Sequence, residues 1–526
     1  MHVLSFLIFI PLMAALGTLL IPSVHTRLFR AVNLAVTLVQ LVLLTYMLPS
    51  FRPSAGLQWV EQAEWFTISL GTWGNLQAQY LLAVDGLSLP LVILSILVLV
   101  IVAISSWKVE RKPKGYFALL LLLNGSIIGT FCAQDFLLFY LFFEFMLLPL
   151  YFLIGIWGGP RREYASIKFL LYTLLGSLFI LVGILALYVS YQDPAFTGLT
   201  HTLDMSVLAN ADNLIPGSVL SSHGWIIGST SARTVVFFLV LIGFAIKLPV
   251  VPLHTWLPDA HVEASTPISV ILAALLLKVG GYGMLRVVYP MFPDVALAFS
   301  GLVAFMGVLS IIYGALNALA AKDLKRMIAY SSVSHMGFVW LGVASLTPEG
   351  VSGAVYQLFS HGILSALLFL LAGVLYDRTG DRTITHYSGL SSAMPAYFAF
   401  VLLAFFASLG LPGFSGFIAE LLVLMGAFAS ASANGVLAQG YALAGLLGIL
   451  LSAGYFLWTI QRMFFGPYQY KPGTITLTDI TQHEWSMLLP LALLTLYFGI
   501  FPQTLLDVIN PFSEVLTRSI LDYLNP

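Results

Sequence analysis

The chain has 526 residues, 59% of them hydrophobic and only 9% charged, with a net charge of −1. A soluble domain carries about a quarter charged residues, so a set of water-soluble domains is excluded, and the near-neutral balance offers no field for nucleic acid or a strongly charged partner. The single cysteine, Cys132, excludes a disulfide framework and any iron–sulfur cluster held by cysteines of this chain alone.

From the start of the chain, "MHVLSFLIFIPLMAALGTLLIPS" has no Lys or Arg ahead of its apolar core. It reads as a first span near 3–22 rather than a cleaved signal peptide. Further apolar runs follow near 30–48, 80–106, 115–132, 136–157, 165–190, 234–257 and 264–288. Beyond these come 295–318, 326–346, 352–376, a long interrupted run at 395–430, then 440–465 and 486–505. Some 20 residues suffice for a helix to cross a bilayer, whereas barrel strands would show shorter alternating segments. The expected fold is therefore an all-α polytopic membrane protein with about fourteen transmembrane helices. In the tail, Phe512, Val515, Leu516, Ile520, Tyr523 and Leu524 recur at helical spacing, the pattern of an interfacial amphipathic helix.

Basic residues orient the spans. If the spans alternate, one side collects Arg27, Arg30, Lys108, Arg111, Lys112, Lys114, Arg161, Arg162, Lys322, Lys325, Arg326, Arg378, Arg382, Arg462 and Lys471. Only Arg52, Arg233, Arg286 and Arg518 fall on the other. The crowded side is the cytoplasmic one, which predicts both termini on the outer side of a bacterial cytoplasmic membrane, or of a thylakoid membrane. The two longest polar loops, about 49–79 and 191–233, are expected outside as well.

Three lysines remain within spans. Lys168 lies near a span end and can snorkel, but Lys247 and Lys278 sit about halfway along theirs. Glu144 and Glu420 are also deep, and His335 and His361 occupy the middles of two further spans. An ionisable group at the bilayer centre costs about 2.5–3.5 kcal/mol on insertion scales. Structural ion pairs would account for one such group, but a whole layer of them points to an ion pathway. In "FAIKLPVVPLHTWLPDA" (244–260), Pro249 clashes with the carbonyl of Ala245 and must bend or break the helix, so Lys247 is expected to donate to freed carbonyls and to water. "FASLGLPGFSGFIAE" (406–420) repeats the device, with Pro412 among glycines and Glu420 following. The breaks fall in the fourth span of each of two groups of five. Five is odd, so the second group enters from the opposite face, as an inverted repeat. The expected organisation is three N-terminal helices in 1–114, one repeat in 115–290, its inverted counterpart in 291–466, and a last helix with the amphipathic tail in 467–526.

Three stretches, "AIKLPVVPLHTWLPDAHVEASTPISVILAALLLKVGGYGMLR" (245–286), "KDLKRMIAYSSVSHMGFV" (322–339) and "CAQDFLLFYLFFEFMLLPLYFLIGIWGG" (132–159), resemble the antiporter-like membrane subunits of respiratory complex I, NADH-quinone oxidoreductase. The M type, the homologue of mitochondrial subunit four, is the best fit. That resemblance implies a proton channel driven at a distance by quinone reduction. In it, Glu144 and Lys247 would form a switching ion pair, Lys278 would be the central carrier, and Glu420 would pass the proton outward. In other subunits of the family the last position is usually lysine, so the glutamate favours the M type. The tail ends after one short amphipathic segment, unlike the long lateral helix of the L type. His254, His335 and His361 are expected relays, since histidine exchanges protons near neutrality. The resemblance also implies neighbours in the membrane arm, including L-type and N-type subunits. It implies partner subunits that carry flavin or iron–sulfur clusters, with quinone as acceptor and no cofactor in this chain.

No nucleotide-binding or cluster motif supplies an energy source of the chain's own. His335 and His361 lie singly on different helices, which argues against axial haem ligation. His254 also reads as a structural histidine beside Trp256. Asp259, His261 and Glu263 read as caps or a proton-entry surface at a cytoplasmic junction, and Asp135 as an N-cap. Alternatives are a subunit of an Mrp-type cation/proton antiporter, a subunit of a membrane-bound hydrogenase, and a passive scaffold.

Overall fold

A computed structural model describes residues 2–69, 71, 75–195, 200–221, 225–227, 230–473 and 476–524. Its helices follow the apolar runs: α1 (Val3–Leu20), α2 (Thr26–Met47), α3 (Ser88–Ser105), α4 (Pro113–Cys132), α5 (Phe136–Trp157) and α6 (Arg162–Tyr188). Then come α7 (Ala232–Lys247), α8 (Trp256–Glu263), α9 (Thr266–Met291), α10 (Ser300–Ala320), α11 (Leu324–Ala344) and α12 (Pro348–Thr379). The last are α13 (Pro395–Ser408), α14 (Ser415–Ala433), α15 (Gln439–Phe464), α16 (Gln482–Ile500) and α17 (Gln503–Leu521). Among the described residues, 12 helices are long and apolar enough to cross a membrane, or up to 13 if the bent pair of α16 and α17 is one span. The expected run 234–257 is broken into α7 and α8, and 395–430 into α13 and α14, because proline stops the helix in each.

Polar side chains mark the helix starts. Asp135 accepts the amides of Leu137 and Leu138 and opens α5 as the expected N-cap. Asp323 caps α11, Thr347 caps α12, and Thr481 with Glu484 forms a capping box on α16.

The third span is shorter than expected. Residues 80–84, taken as its start, belong to β2 (Asn75–Val84), which pairs antiparallel with β1 (Gln58–Ser69) and parallel with β3 (Thr200–His201). Within this strand Leu81, Leu82, Ala83 and Val84 are all buried, and hydropathy does not separate a buried strand from the end of a span. The loops at 49–79 and 191–233 thus carry strands, and both fall partly outside the described residues.

The tail also differs from expectation. α17 turns by 66° from α16 and lies against protein. Leu505, Ile509, Leu516 and Ile520 form its buried face, while Val515 is 70% exposed. Asn510 accepts a hydrogen bond from Ser352 of α12, and Val508 approaches Gly86 so closely that a β-carbon there would lie 2.3 Å from its carbonyl oxygen. Leu524 of the expected stripe has a side chain outside the described set.

Burial separates the helices. The most apolar windows of α9 and α12 are wholly buried and that of α11 is 94% buried, although α11 has the lowest hydropathy of the twelve, 1.2. A helix surrounded by protein needs no lipid-compatible surface and can carry polar side chains. The site residues are concentrated on these three helices and on the two broken spans around them.

Candidate functional site

The first break begins where proline dictates. α7 ends at Lys247, and the carbonyls released by Pro249 find donors within the protein: the Val250 amide reaches Ala245 O at 3.3 Å, and the Trp256 indole donates to Ile246 O at 2.8 Å. Lys247 was expected to serve those carbonyls. Instead its Nζ lies 3.8 Å from the centre of the Phe143 ring, fully buried, with no hydrogen-bond acceptor. Glu144, next along α5, is within electrostatic reach of Lys247 but not at ion-pairing distance, and its Oε1 is buried without a donor. The expected pair is thus apart in this conformation, with an aromatic face occupying the cation.

Glycines bring the break against α9. At Gly280 a β-carbon would lie 2.3 Å from the Leu248 amide nitrogen, and at Gly283 one would lie 2.1 Å from the Phe244 ring. In α9 itself, the backbone takes π-helical turns over Leu272–Leu276 and Met284–Val288, on either side of Lys278. Such turns widen a helix and free carbonyls from the usual ladder. Lys278 Nζ donates to one of these, Ala273 O, at 2.6 Å.

From Lys278 the polar groups run across the core. Nζ is 2.8 Å from His361 Nδ1 of α12, the His361 and His335 rings are 5.7 Å apart, and His335 Nδ1 hydrogen-bonds Glu420 Oε1 at 3.0 Å. None of the four is more than 5% exposed. Around the histidines lies a cavity of about 10 Å³, lined in part by Ser331, Gln357, Ser408 and Gly416. His335 Nε2, Gln357 Oε1 and Glu420 Oε2 are all buried without partners. Glu420 owes its place to the second break: α13 stops at Ser408, and Gly410 and Gly413 take φ of +81° and +98°. Those left-handed angles favour glycine. The chain then re-enters as α14.

Four expected residues, Lys278, His361, His335 and Glu420, therefore stand in one file. His254 does not. Its ring lies against Tyr313 and Tyr330, 5.2 and 6.2 Å between centroids, and Nδ1 is unpartnered. Lys168, expected to snorkel, is ion-paired to Asp259 at 2.7 Å, while Glu263 accepts the Arg161 amide. Two further basic residues have partners that the sequence did not indicate. Lys325, counted among the inner surface charges, is 2% exposed and donates to Ala264 O. Arg286, counted as an outer charge, is paired with Asp85 at 2.6 Å. Asp85 opens the turn before α3, and hydropathy gave no sign of that pairing.

The model of the family described as NADH:quinone oxidoreductase/Mrp antiporter, TM matches residues 133–446. The chain is 41% identical over 519 residues to NAD(P)H-quinone oxidoreductase chain 4 1 of Synechococcus elongatus, covering 98% of this chain and 92% of that protein. To NADH-quinone oxidoreductase subunit M of Rhodobacter capsulatus it is 39% identical, covering 97% and 95%. The chain belongs to this family, in its subunit M/chain 4 branch. Among solved structures it matches a chain of respiratory complex I from Thermus thermophilus with a TM-score of 0.82 at 31% identity, covering 99% of this chain and 100% of that one. A chain of the Mrp complex from Dietzia sp. matches with a TM-score of 0.81, covering 99% of each chain, but at 22% identity, a likeness of fold alone. As an antiporter-like membrane subunit, the chain has its deepest charges inside the matched region. Among the described residues no group of three or more His, Cys, Asp or Glu could hold a metal ion.

Proposed function

We propose that the chain moves protons across the membrane as a subunit of a quinone oxidoreductase complex, using the file Lys278–His361–His335–Glu420. One observation carries this reading: four ionisable groups from four different helices meet in the buried core, with 2.8 Å and 3.0 Å contacts at the two ends of the file. A structural ion pair needs two partners, whereas a file of alternating bases offers a proton a sequence of acceptors.

The chemistry follows from these contacts. A proton on Lys278 can pass to His361 Nδ1 along their hydrogen bond. The histidine rings have no direct bond between them, and the three unpartnered polar atoms facing the cavity suit one bridging water, which needs two to four partners. Beyond it, His335 delivers to Glu420. Lys247 controls the entrance: moving Glu144 toward it would compensate a charge now held only by an aromatic face. That change would alter the proton affinity of Lys278 across the Leu248–Gly280 contact. In the same reading 115–290 and 291–466 are inverted repeats, with both termini outside. Neighbouring L-type and N-type subunits would flank the chain, and partner subunits would bear the redox groups. Outward movement costs about 2.3 kcal/mol per proton per 100 mV, so the file must be coupled to their chemistry.

The test is Lys278→Ala in the assembled complex, with proton translocation measured in membrane vesicles beside quinone reduction. Translocation is expected to fall while the complex still assembles. Normal translocation with normal assembly would remove Lys278 as a carrier and leave the scaffold reading.

A further inference from the structure

Lys247 carries a buried positive charge for which its surroundings supply no acceptor. Among the described residues the one charge that acts on it is Glu144, whose Oε1 is itself buried without a donor. What the ammonium touches is the ring of Phe143. Nζ lies 3.8 Å from the ring centre, well inside the roughly 6 Å over which an aromatic face attracts a cation. The ring is fixed by its neighbours: Phe244 of α7 meets it edge-on at 6.0 Å, and Phe139, one turn earlier in α5, lies 5.5 Å away. Burial strengthens such a contact, because water no longer competes for the charge.

Phe143 and Glu144 are consecutive, so on a helix their side chains point about 100° apart. Burial follows that rotation: Phe143 is buried, Glu144 is half-buried and Phe145 is 55% exposed. One orientation of the helix presents the ring to Lys247, and a turn of it presents the carboxylate instead. A weak joint lies beside them. The first half of α5, Phe136–Phe145, ends at Met146, and the second, Leu147–Trp157, follows. Pro149 has no amide to give the Phe145 carbonyl, and the next bond, from Leu150 N to Met146 O, is stretched to 3.4 Å.

We infer that Phe143 is a positioning residue for Lys247: its ring face holds the lysine charge while Glu144 is withdrawn, and the first half of α5, turning about Met146, exchanges ring for carboxylate. The inference rests on the proposed control of the file by Lys247 and Glu144. Without the ring face, separating the pair would leave a buried ammonium uncompensated, so a state visited in every turnover would be reached more slowly. The competing role for Phe143 is packing alone, as one more side chain against Phe139, Tyr140 and Phe244.

The two roles separate in a series that alters the charge distribution of the ring and barely its shape. Phenylalanines with one, two and three ring fluorines, placed at position 143 by stop-codon suppression, weaken the negative face step by step. In the assembled complex, in membrane vesicles supplied with electron donor and quinone, proton translocation should fall with each fluorine, by up to about tenfold across the series. In the Lys247→Met background the same series should leave the residual translocation unchanged, because the cation is gone. Equal translocation across the series, with Lys247→Met slowed beside it, overturns the inference and leaves the Lys247 reading standing. A loss that appears at the first fluorine and does not deepen, or one that persists in the Lys247→Met background, is steric and overturns the inference as well. Normal translocation in Lys247→Met overturns the Lys247 reading itself.

Discussion

At the first proline break Lys247 rests on the Phe143 ring with no acceptor, whereas at the second Glu420 is held by His335 at 3.0 Å. Both breaks arise from proline in an apolar helix with a charge close by, yet one yields a solitary cation and the other a carboxylate hydrogen-bonded to a histidine. Proline sets where a helix stops; the helices packed around it set what the charge meets. At the first break the surroundings are aromatic, from Phe143 and Phe244, and Pro249's freed carbonyls are already served by Val250 and Trp256. At the second, α11 and α12 supply histidines. The first charge can therefore be compensated by movement, and the second is compensated already.

The largest expected effect breaks the comparison at its connected end. Glu420→Gln removes the terminal acceptor of the file, and proton translocation by the assembled complex should fall by about 10²-fold or more. Retention of near-normal translocation would show that the His335–Glu420 bond is architectural. At the solitary end, Lys247→Met should also lower translocation, but thermal unfolding of the complex should hold or rise, because the change removes a buried cation that has no acceptor. A clear drop in the unfolding midpoint would mean that Lys247 has a partner in the ground state. Gly280→Ala tests the clamp between the first break and α9. With its β-carbon 2.3 Å from the Leu248 nitrogen, the variant should lose about 1–3 kcal/mol of stability, read from the unfolding midpoint.

The smallest effect lies outside the membrane. Burial pushes the Asp135 carboxyl up to about 6, while amide donors from Gln79, Leu138 and Leu137 pull the other way. The folded state holds this proton more tightly than the unfolded chain. The associated stabilisation is thus complete below the ordinary value of 3.8 and is lost as pH rises through about 6. Asp135→Asn should flatten that part of the stability profile and cost about 1 kcal/mol in cap strength.

Helix breaks and deep charges were legible because each violates a strong rule: proline in an apolar helix, ionisable groups where lipid or protein must surround them. Lys278, His335, His361 and Glu420 were found this way, and the structure pairs Lys278 with His361 and His335 with Glu420. The contacts between them were less accessible, since they depend on which helix faces meet. His254 shows the limit: it sits near the first break, and its tyrosine neighbours come from α10 and α11. The burial of Lys325 escaped notice for a different reason. It lies in a basic cluster at a helix start, where hydropathy expects solvent, and only the packing of the α8–α9 junction buries it. The π-helical turns around Lys278 left no compositional mark beyond the glycines that follow, and the strand at 75–84 was hidden by its own apolarity.

The contact between Leu248 and Gly280 has a consequence for timing. With no room there for even a methyl group, the backbone at the end of α7 and the backbone two residues past Lys278 form a rigid push-rod. A displacement of the first break is thus passed by direct contact to the backbone beside Lys278, within the same movement.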